Sequence, residues 1–272
     1  MNALRLCLGT LTVLPVRPPE RVDRRVAGTA MVLAPVAALL LGLVVTAVLW
    51  LLGYPPGPLA ANHAPSPALA AILVVGLLAV LTRGMHLDGL ADMADGLGSR
   101  KPAAEALDVM RRSDIGPFGV ITLVVVLLVQ TFAIADQIGG GRSAPAVVLA
   151  LTVSRLVLPL ACLRFVPSAR SDGLGSMVAG TVSPLGAAVA AVVAVLGLAM
   201  VVVATTAAAG APVYLPTVGA ALVAAVVAVI ALAAGAAYCW WCVRRLGGVT
   251  GDVLGGCVEV TFTVTLVLLC LV

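Results

Sequence analysis

The chain has 272 residues, of which 62% are hydrophobic and only 10% are charged, and this balance excludes an ordinary soluble domain. The net charge of +4 does not indicate a nucleic-acid partner, because the basic residues are spread over several polar loops. We predict an all-α, polytopic bundle of helices in the lipid bilayer, with residues 1–272 forming one integral membrane domain.

Seven apolar stretches are predicted to cross the membrane, whose hydrocarbon core is about 30 Å thick. Before them, an apolar run over residues 6–14 ends at Pro15 and predicts a short interfacial helix rather than a cleaved signal peptide. The predicted spans cover residues 28–52, 68–82, 117–134, 144–163, 184–208, 213–242 and 253–272. The loop after the first predicted span contains His63, which we expect to be solvated, and the loop after the fifth contains a predicted tight turn at residues 210–212.

The distribution of positive charge predicts the orientation of these spans, because cytoplasmic loops of membrane proteins are enriched in Lys and Arg. With a cytoplasmic N-terminus, that side holds fourteen of the sixteen basic residues, namely Arg5, Arg17, Arg21, Arg24, Arg25, Arg83, Arg100, Lys101, Arg111, Arg112, Arg164, Arg170, Arg244 and Arg245. Arg142 falls on the opposite side, and Arg155 falls inside the fourth span. We therefore expect the N-terminus and all the main polar loops on the cytoplasmic face.

The polar segment 83–100 carries three aspartates on one side of a predicted helix. Asp88, Asp92 and Asp95 are spaced i, i+4, i+7, which places them within roughly 60° of arc. Like charges at i,i+4 repel by about 0.2–0.5 kcal/mol per pair, and a bound cation relieves the repulsion. Carboxylate oxygens suit Mg²⁺ or Mn²⁺, so the three aspartates are predicted to be metal ligands and catalytic residues. The alternative is a solvated acidic helix face.

Two other polar residues of the same segment are candidates for the site. His86 is a predicted catalytic residue, and Arg83 is predicted to bind substrate. The glycines Gly89, Gly96 and Gly98 have two readings: the backbone approaches a ligand there, or the helix packs closely against another helix.

The remaining candidates lie in the second half of the chain and are predicted to bind substrate. Arg155 is costly inside a span, so it is expected to meet either a phosphate of the substrate or one of the aspartates. Arg170 lies in the loop after that span. Gly251 and Asp252 open the last span, and two interpretations are open. Either a backbone N–H group there approaches a phosphate, or the Asp252 carboxylate is stabilised by the dipole at the helix N-terminus. Asp252 and Glu259 share one face of that helix. Carboxylates, arginines and glycines in this combination suit group transfer on a diphosphate.

Residues 86–98, His-Leu-Asp-Gly-Leu-Ala-Asp-Met-Ala-Asp-Gly-Leu-Gly, resemble the signature of the cobalamin synthase family, the adenosylcobinamide-GDP ribazoletransferases. Residues 10–16, 107–119, 169–175 and 247–255 resemble the family's other motifs in the same order. The chain departs from the family pattern at Arg112 and Asp114, where the acidic and basic residues are exchanged. No role is carried over to these two residues.

The resemblance implies a Mg²⁺-dependent transferase of the bacterial cytoplasmic (inner) membrane, with its active site on the cytoplasmic face. It implies that α-ribazole, or its 5′-phosphate, attacks adenosylcobinamide-GDP through a ribose hydroxyl. The products would be adenosylcobalamin, or its 5′-phosphate, and GMP. The expected partners are these small molecules and the lipid bilayer, and a homo-oligomer is compatible with the sequence.

Two other classes of protein are alternatives. A CDP-alcohol phosphotransferase that makes phospholipid also uses clustered aspartates, but only the opening of its pattern is matched, by Asp92, Asp95 and Gly96. A membrane transporter is the alternative outside enzymes, although the chain shows no convincing internal repeat and its polar residues cluster at one face.

Overall fold

The computed structural model describes residues 1–55, 64–208 and 218–272, and its helices confirm the predicted all-α class. In chain order they are α1 Asn2–Leu11, α2 Arg24–Val32, α3 Ala34–Leu51, α4 Pro67–Leu81, α5 Met85–Gly98, α6 Ala103–Val109, α7 Pro117–Gly139, α8 Ser143–Ala161, α9 Gly173–Val178, α10 Pro184–Ala208, α11 Val218–Leu246 and α12 Gly251–Cys270. His63 and the predicted turn at 210–212 lie outside the described residues.

Five of the described helices are long and apolar enough to cross a membrane, and the chain is a multi-pass membrane protein. They are α3, α7, α8, α11 and α12. The bent pair of α4 and α5 makes a sixth if it is counted as one span. The prediction of about seven spans is therefore higher than the count in the described residues, because α4 has only 15 residues and the apolar stretch counted in α10 is Pro184–Met200.

Two predicted boundaries are wrong, and each has a local cause. The first predicted span is divided at Leu33 into α2 and α3, because Pro35 has no N–H to continue the helical hydrogen bonds. The span predicted to end at residue 242 continues to Leu246 and includes Arg244 and Arg245 in its last turn. Positive side chains stabilise the C-terminal end of a helix, so these arginines extend the helix rather than ending it.

Helices α8 and α12 form the centre of the bundle. Buried residues make up 78% of the α8 span and 61% of the α12 span, against 22% for α7 and 17% for α11. Small residues let the central helices approach their neighbours, as where Gly42 of α3 faces Val148 of α8. The less buried α7 and α11 therefore line the outside of the bundle.

A sharp corner redirects the chain between α4 and α5. Arg83 and Gly84 both adopt left-handed backbone angles, with φ of 56° and 65°, which ends α4. Helix α5 then runs at 89° to α4. It leaves the direction of the spans and lies across their end, against the first turns of α7 and α12.

Helix α5 meets α12 backbone to backbone. A Cβ atom added to Gly89 would lie 2.9 Å from the Cα and carbonyl oxygen of Asp252. A Cβ added to Gly255 would lie 3.2 Å from the carbonyl oxygen of His86. The other two glycines of α5 also face protein, Gly96 against Met110 and Gly98 against Phe118. Of the two readings of these glycines, the structure confirms close packing.

We predict that Gly89→Ala lowers the free energy of unfolding by about 1–3 kcal/mol, because the new methyl group would overlap backbone atoms that cannot turn aside. The matched control is Gly76→Ala in α4, where a Cβ meets no atom within 4 Å. Alanine is the better helix former, so the control should unfold at or above the wild-type temperature. Thermal unfolding of the purified proteins in detergent measures both, and equal melting temperatures would contradict this packing.

Candidate active site

Three polar regions that are distant in sequence meet at the end of the bundle where α5 lies. Arg111, after α6, pairs with Asp172 at 2.9 Å. Arg170 Nη2 donates to the carbonyl oxygen of Leu107 at 2.5 Å. The backbone at Ala169 donates to the carbonyl oxygen of Val249 at 3.1 Å. The regions singled out in the sequence around residues 83–116, 164–183 and 247–252 are thus brought together.

Asp88, Asp92 and Asp252 form an acidic cluster at this meeting point. Asp88 is exposed, whereas Asp92 and Asp252 are partly buried. The pKa of the Asp92 carboxyl is raised to about 7 by partial burial and by the charges of Asp88, Asp252 and Asp95, and Arg170 opposes the rise. The repulsion expected from the sequence is therefore present, and Asp252 adds to it.

Asp95 has a defined structural partner. Its Oδ2 accepts a hydrogen bond from the backbone N–H of Gly116 at 2.7 Å, and its Oδ1 accepts one from Gly119 at 3.0 Å. These N–H groups lie at the N-terminus of α7, where backbone N–H groups have no acceptor within their own helix. A Cβ at either glycine would overlap the carboxylate. Asp95 therefore caps α7, a role that the i, i+4, i+7 pattern did not reveal.

The side chains as they stand do not converge on a metal position. Among the residues that the structure describes, no three His, Cys, Asp or Glu side chains lie close enough together to hold a metal ion. The assignment of Asp88, Asp92 and Asp95 as metal ligands stays a prediction. A carboxylate has about four lone-pair positions, so capping α7 leaves Asp95 two of them.

Arg170 is the positive group of the acidic cluster. Its Nη1 lies 3.7 Å from Asp252 Oδ2. Its Nε is buried and has no hydrogen-bond partner among the described residues. Thr250 caps α12 by accepting from Val253 N, and its hydroxyl lies 3.2 Å from Asp252 Oδ2. Gly251 begins the same helix beside Asp252. The predicted substrate ligands Arg170, Gly251 and Asp252 are therefore neighbours.

Arg83 makes its contacts with α1. Its Nη2 donates to the carbonyl oxygens of Gly9 at 2.6 Å and Thr10 at 3.1 Å. These carbonyls lie in the last turn of α1, where a helix leaves acceptors unsatisfied and favours positive charge. The contact fixes the α4–α5 corner to α1, and the substrate-binding role of Arg83 stays a prediction.

His86 lines a cavity of about 220 Å³, which we call the His86 cavity. The side chain is only 3% exposed, and neither ring nitrogen has a hydrogen-bond partner among the described residues. Asp88, Asp252 and Gly251 also line the cavity. Its apolar wall consists of Leu11, Met31, Met85, Leu158, Leu174 and Leu254. The cavity thus opens from the acidic cluster into the protein.

Arg155 lies deeper, in a second cavity of about 20 Å³ that it shares with Glu259 and Gln130, the Arg155 cavity. The guanidinium is 3% exposed and donates to Ser154 Oγ at 2.9 Å. Gln130 Nε2 donates to Glu259 Oε2 at 2.8 Å and to Thr263 Oγ1 at 3.0 Å. No aspartate of the stripe lines this cavity, and Glu259 is the acidic residue that shares it with Arg155. The contact of Arg155 with a phosphate of the substrate stays a prediction.

Gln130 was missed in the sequence, although a signal was available. A polar side chain in the middle of an apolar span is expensive in lipid and usually faces a partner inside the bundle. Gln130 in α7 and Glu259 in α12 both meet that description. Arg112 and Asp114, where the family pattern departs, are both exposed.

Comparison with known proteins decides the family. The family model for cobalamin-5-phosphate synthase matches residues 3–270. The adenosylcobinamide-GDP ribazoletransferase of Frankia casuarinae is 39% identical and covers 99% of this chain and 94% of its own length. The enzyme of that name from a Nocardioides species is 41% identical and covers 97% of this chain and 96% of its own length. The one from Mesorhizobium japonicum is 35% identical and covers 96% of this chain and 90% of its own length.

The chain belongs to the cobalamin synthase family. This confirms the resemblance seen in residues 86–98, and it favours a ribazoletransferase over the transporter and the CDP-alcohol phosphotransferase. No solved structure matches the chain. Four of the five motifs recognised in the sequence, at residues 86–98, 107–119, 169–175 and 247–255, contact one another around the acidic cluster.

We predict that Asp95→Ala lowers the free energy of unfolding by about 1 kcal/mol, because the N–H groups of Gly116 and Gly119 lose their acceptors. The control is Asp88→Ala, which removes an exposed carboxylate from the same helix and relieves repulsion on Asp92. Its melting temperature should equal or exceed that of the wild type. If both variants unfold at the wild-type temperature, Asp95 does not stabilise α7.

We predict that Arg155→Met destabilises the protein by about 3–5 kcal/mol, because it leaves the buried Glu259 carboxylate without its positive neighbour. Combining Arg155→Met with Glu259→Gln removes both charges and should restore most of the loss. Folded yield and thermal unfolding in detergent measure the effect. A double variant as unstable as the sum of the single variants would contradict the pairing.

Proposed function

We propose that the protein is an adenosylcobinamide-GDP ribazoletransferase. It joins adenosylcobinamide-GDP with α-ribazole, or its 5′-phosphate, to give adenosylcobalamin, or its 5′-phosphate, and GMP. The observation that carries the proposal is the meeting of the family motifs around Asp88, Asp92, Asp252 and Arg170. Relatives of nearly the same length that bear this name support the substrates.

The reaction is a displacement at phosphorus. A ribose hydroxyl of the acceptor forms a bond to the phosphorus nearer cobinamide, and the bond from that phosphorus to the bridging oxygen breaks. GMP leaves with the bridging oxygen, and the hydroxyl proton passes to a carboxylate. Asp252 is suited to accept the proton, because it lines the His86 cavity beside the acidic cluster. Arg170 is suited to bind phosphoryl oxygen through its buried Nε, which has no partner among the described residues.

We propose Mg²⁺, with Mn²⁺ as the alternative, as the cofactor. The donor set fits, because hard carboxylate oxygens of Asp88 and Asp92 repel one another and Asp95 keeps free lone pairs. When bound, the ion would neutralise the diphosphate and the leaving phosphate. His86 and Arg83 remain proposed members of the site, His86 as a substrate contact and Arg83 through the corner that positions α5.

The proposed location is the bacterial cytoplasmic (inner) membrane, with the acidic cluster on the cytoplasmic face. The support is the excess of positive charge on one side. Arg111, Arg170 and Arg245 lie at the same end of the bundle as α5, whereas Arg142 lies between α7 and α8 at the other end of α7.

We predict that the purified wild-type protein releases GMP from adenosylcobinamide-GDP when α-ribazole and Mg²⁺ are present, and that a chelator stops the release. Asp92→Asn should lower kcat by about 10²–10³-fold, because a negative ligand of the proposed Mg²⁺ is lost and the cation would stabilise the transition state less. The control is Asp136→Asn near the C-terminal end of α7, which should keep wild-type turnover. Release of CMP from a CDP-alcohol instead of GMP would favour the phospholipid synthase.

We predict that Ser171→Cys is labelled only from the cytoplasmic side, whereas Arg142→Cys is labelled from outside. Both positions are exposed, so the reagent has access. The background lacks the six native cysteines, five of which are buried. An impermeant maleimide applied to intact cells should therefore modify only the Arg142→Cys protein. Labelling of the Ser171→Cys protein in intact cells would reverse the orientation.

A further inference from the structure

We propose that the His86 cavity binds the aromatic base of the nucleoside acceptor and that His86 donates a hydrogen bond to the free ring nitrogen of that base. The inference rests on the proposed function and assigns one part of one substrate to one cavity. Ribazole is a nucleoside whose base is a dimethylated benzimidazole, a flat bicyclic ring with one nitrogen attached to ribose and one free.

The size and lining of the cavity suit such a ring. Its volume of about 220 Å³ falls below the roughly 300–1,000 Å³ of pockets that hold a whole drug-sized ligand. It therefore suits a single ring system and excludes a corrinoid or a complete nucleotide. The wall contains the thioethers of Met31 and Met85, which make favourable contacts with aromatic rings. Leucines from α1, α8, α9 and α12 complete the apolar surface.

The polar groups at the two ends of the cavity fix the direction in which a nucleoside would enter. Asp88, which is exposed, and Asp252 stand at the outer end with the acidic cluster. His86 is buried at the inner end. A nucleoside with its base inside therefore places its ribose beside Asp252, where the attacking hydroxyl must be. The reverse direction would put the hydroxyls among leucines and leave the base in water.

His86 itself is the independent sign of a ligand. Both ring nitrogens are buried and lack partners among the described residues, and a buried polar group without a hydrogen bond is rare in folded proteins. A neutral imidazole has one N–H donor and one acceptor nitrogen. The free nitrogen of a benzimidazole riboside carries a lone pair and no hydrogen, so it can only accept. His86 can therefore satisfy its N–H with the base.

The first experiment narrows the outer end of the cavity. Leu174→Trp enlarges a side chain that is 37% exposed, so the fold tolerates it, and Leu185→Trp at a 75% exposed position is the matched control. Steady-state GMP release gives KM for each substrate separately. We expect Leu174→Trp to raise KM for α-ribazole at least about 10-fold with KM for adenosylcobinamide-GDP unchanged. A rise only in KM for adenosylcobinamide-GDP would place the guanine there and overturn the proposal.

The second experiment tests the hydrogen bond with an acceptor in which a C–H group replaces the free nitrogen, an α-indole riboside. One hydrogen bond is worth about 0.5–1.5 kcal/mol, so the wild type should prefer α-ribazole by about 2–12-fold in kcat/KM. His86→Leu should remove this preference, and His86→Gln, which keeps an N–H donor, should restore part of it. An equal preference in the wild type and in His86→Leu would overturn the hydrogen bond.

The outcomes separate this inference from the function on which it rests. No GMP release by the wild type overturns both. Normal GMP release with unchanged α-ribazole KM in Leu174→Trp overturns only the cavity assignment. Should the His86 variants fail to fold, the KM values of Leu174→Trp still decide, because that residue lies at the partly exposed end of the cavity.

Discussion

The close approach of α5 to α12 is the constraint on which the rest of the site depends. Gly89 and Gly255 leave no side chain between the two backbones, so the acidic helix lies directly on the first turns of α12. This contact adds Asp252 to the neighbourhood of Asp88 and Asp92. It also turns His86 towards the bundle interior and encloses the cavity beneath it. A larger residue at either glycine would both separate Asp252 from Asp88 and Asp92 and open the His86 cavity.

Charge in this region is balanced mainly by helix ends and one arginine. Asp95 accepts hydrogen bonds from the N-terminal backbone of α7, and Asp252 lies in the first turn of α12. The dipole of a helix stabilises a carboxylate at either place. Arg170 supplies the full positive charge nearest to Asp252. The balance is incomplete, because the pKa of Asp92 is still raised to about 7. An electrostatic demand for further positive charge thus remains where the diphosphate chemistry is proposed to occur.

The sequence was sufficient for the class of fold and for the acidic face of α5, and insufficient for the contacts of single side chains. The spacing of Asp88, Asp92 and Asp95 identified the acidic face, because periodicity depends only on the helix itself. The partner of Asp95 is the backbone of Gly116 and Gly119, and no pattern within α5 contains that information. The same holds for Arg83, whose acceptors lie in α1.

Span boundaries failed for a related reason, since hydropathy records composition and not hydrogen bonding. Pro35 divides an apolar stretch that hydropathy treats as continuous. Arg244 and Arg245 look like a loop by charge, yet they lie in the last turn of α11, and Arg244 stacks on Trp240 at 4.6 Å. Glu259 shares a helix face with Asp252 by sequence, yet the side chain that donates a hydrogen bond to it is Gln130 of α7, which that pattern does not contain.

The two cavities are lined by neighbouring turns of α8 but are chemically distinct. Leu158 of α8 lines the His86 cavity, and Arg155, one turn earlier, lines the Arg155 cavity. Burial, and then the nearby charge of Arg155, lowers the pKa of His86 well below its usual value. Glu259 lines the same cavity as Arg155, where a negative group offsets the cost of a buried positive one. Burial is thus the main factor that disfavours a positive charge on His86, and a neutral imidazole has one donor and one acceptor nitrogen.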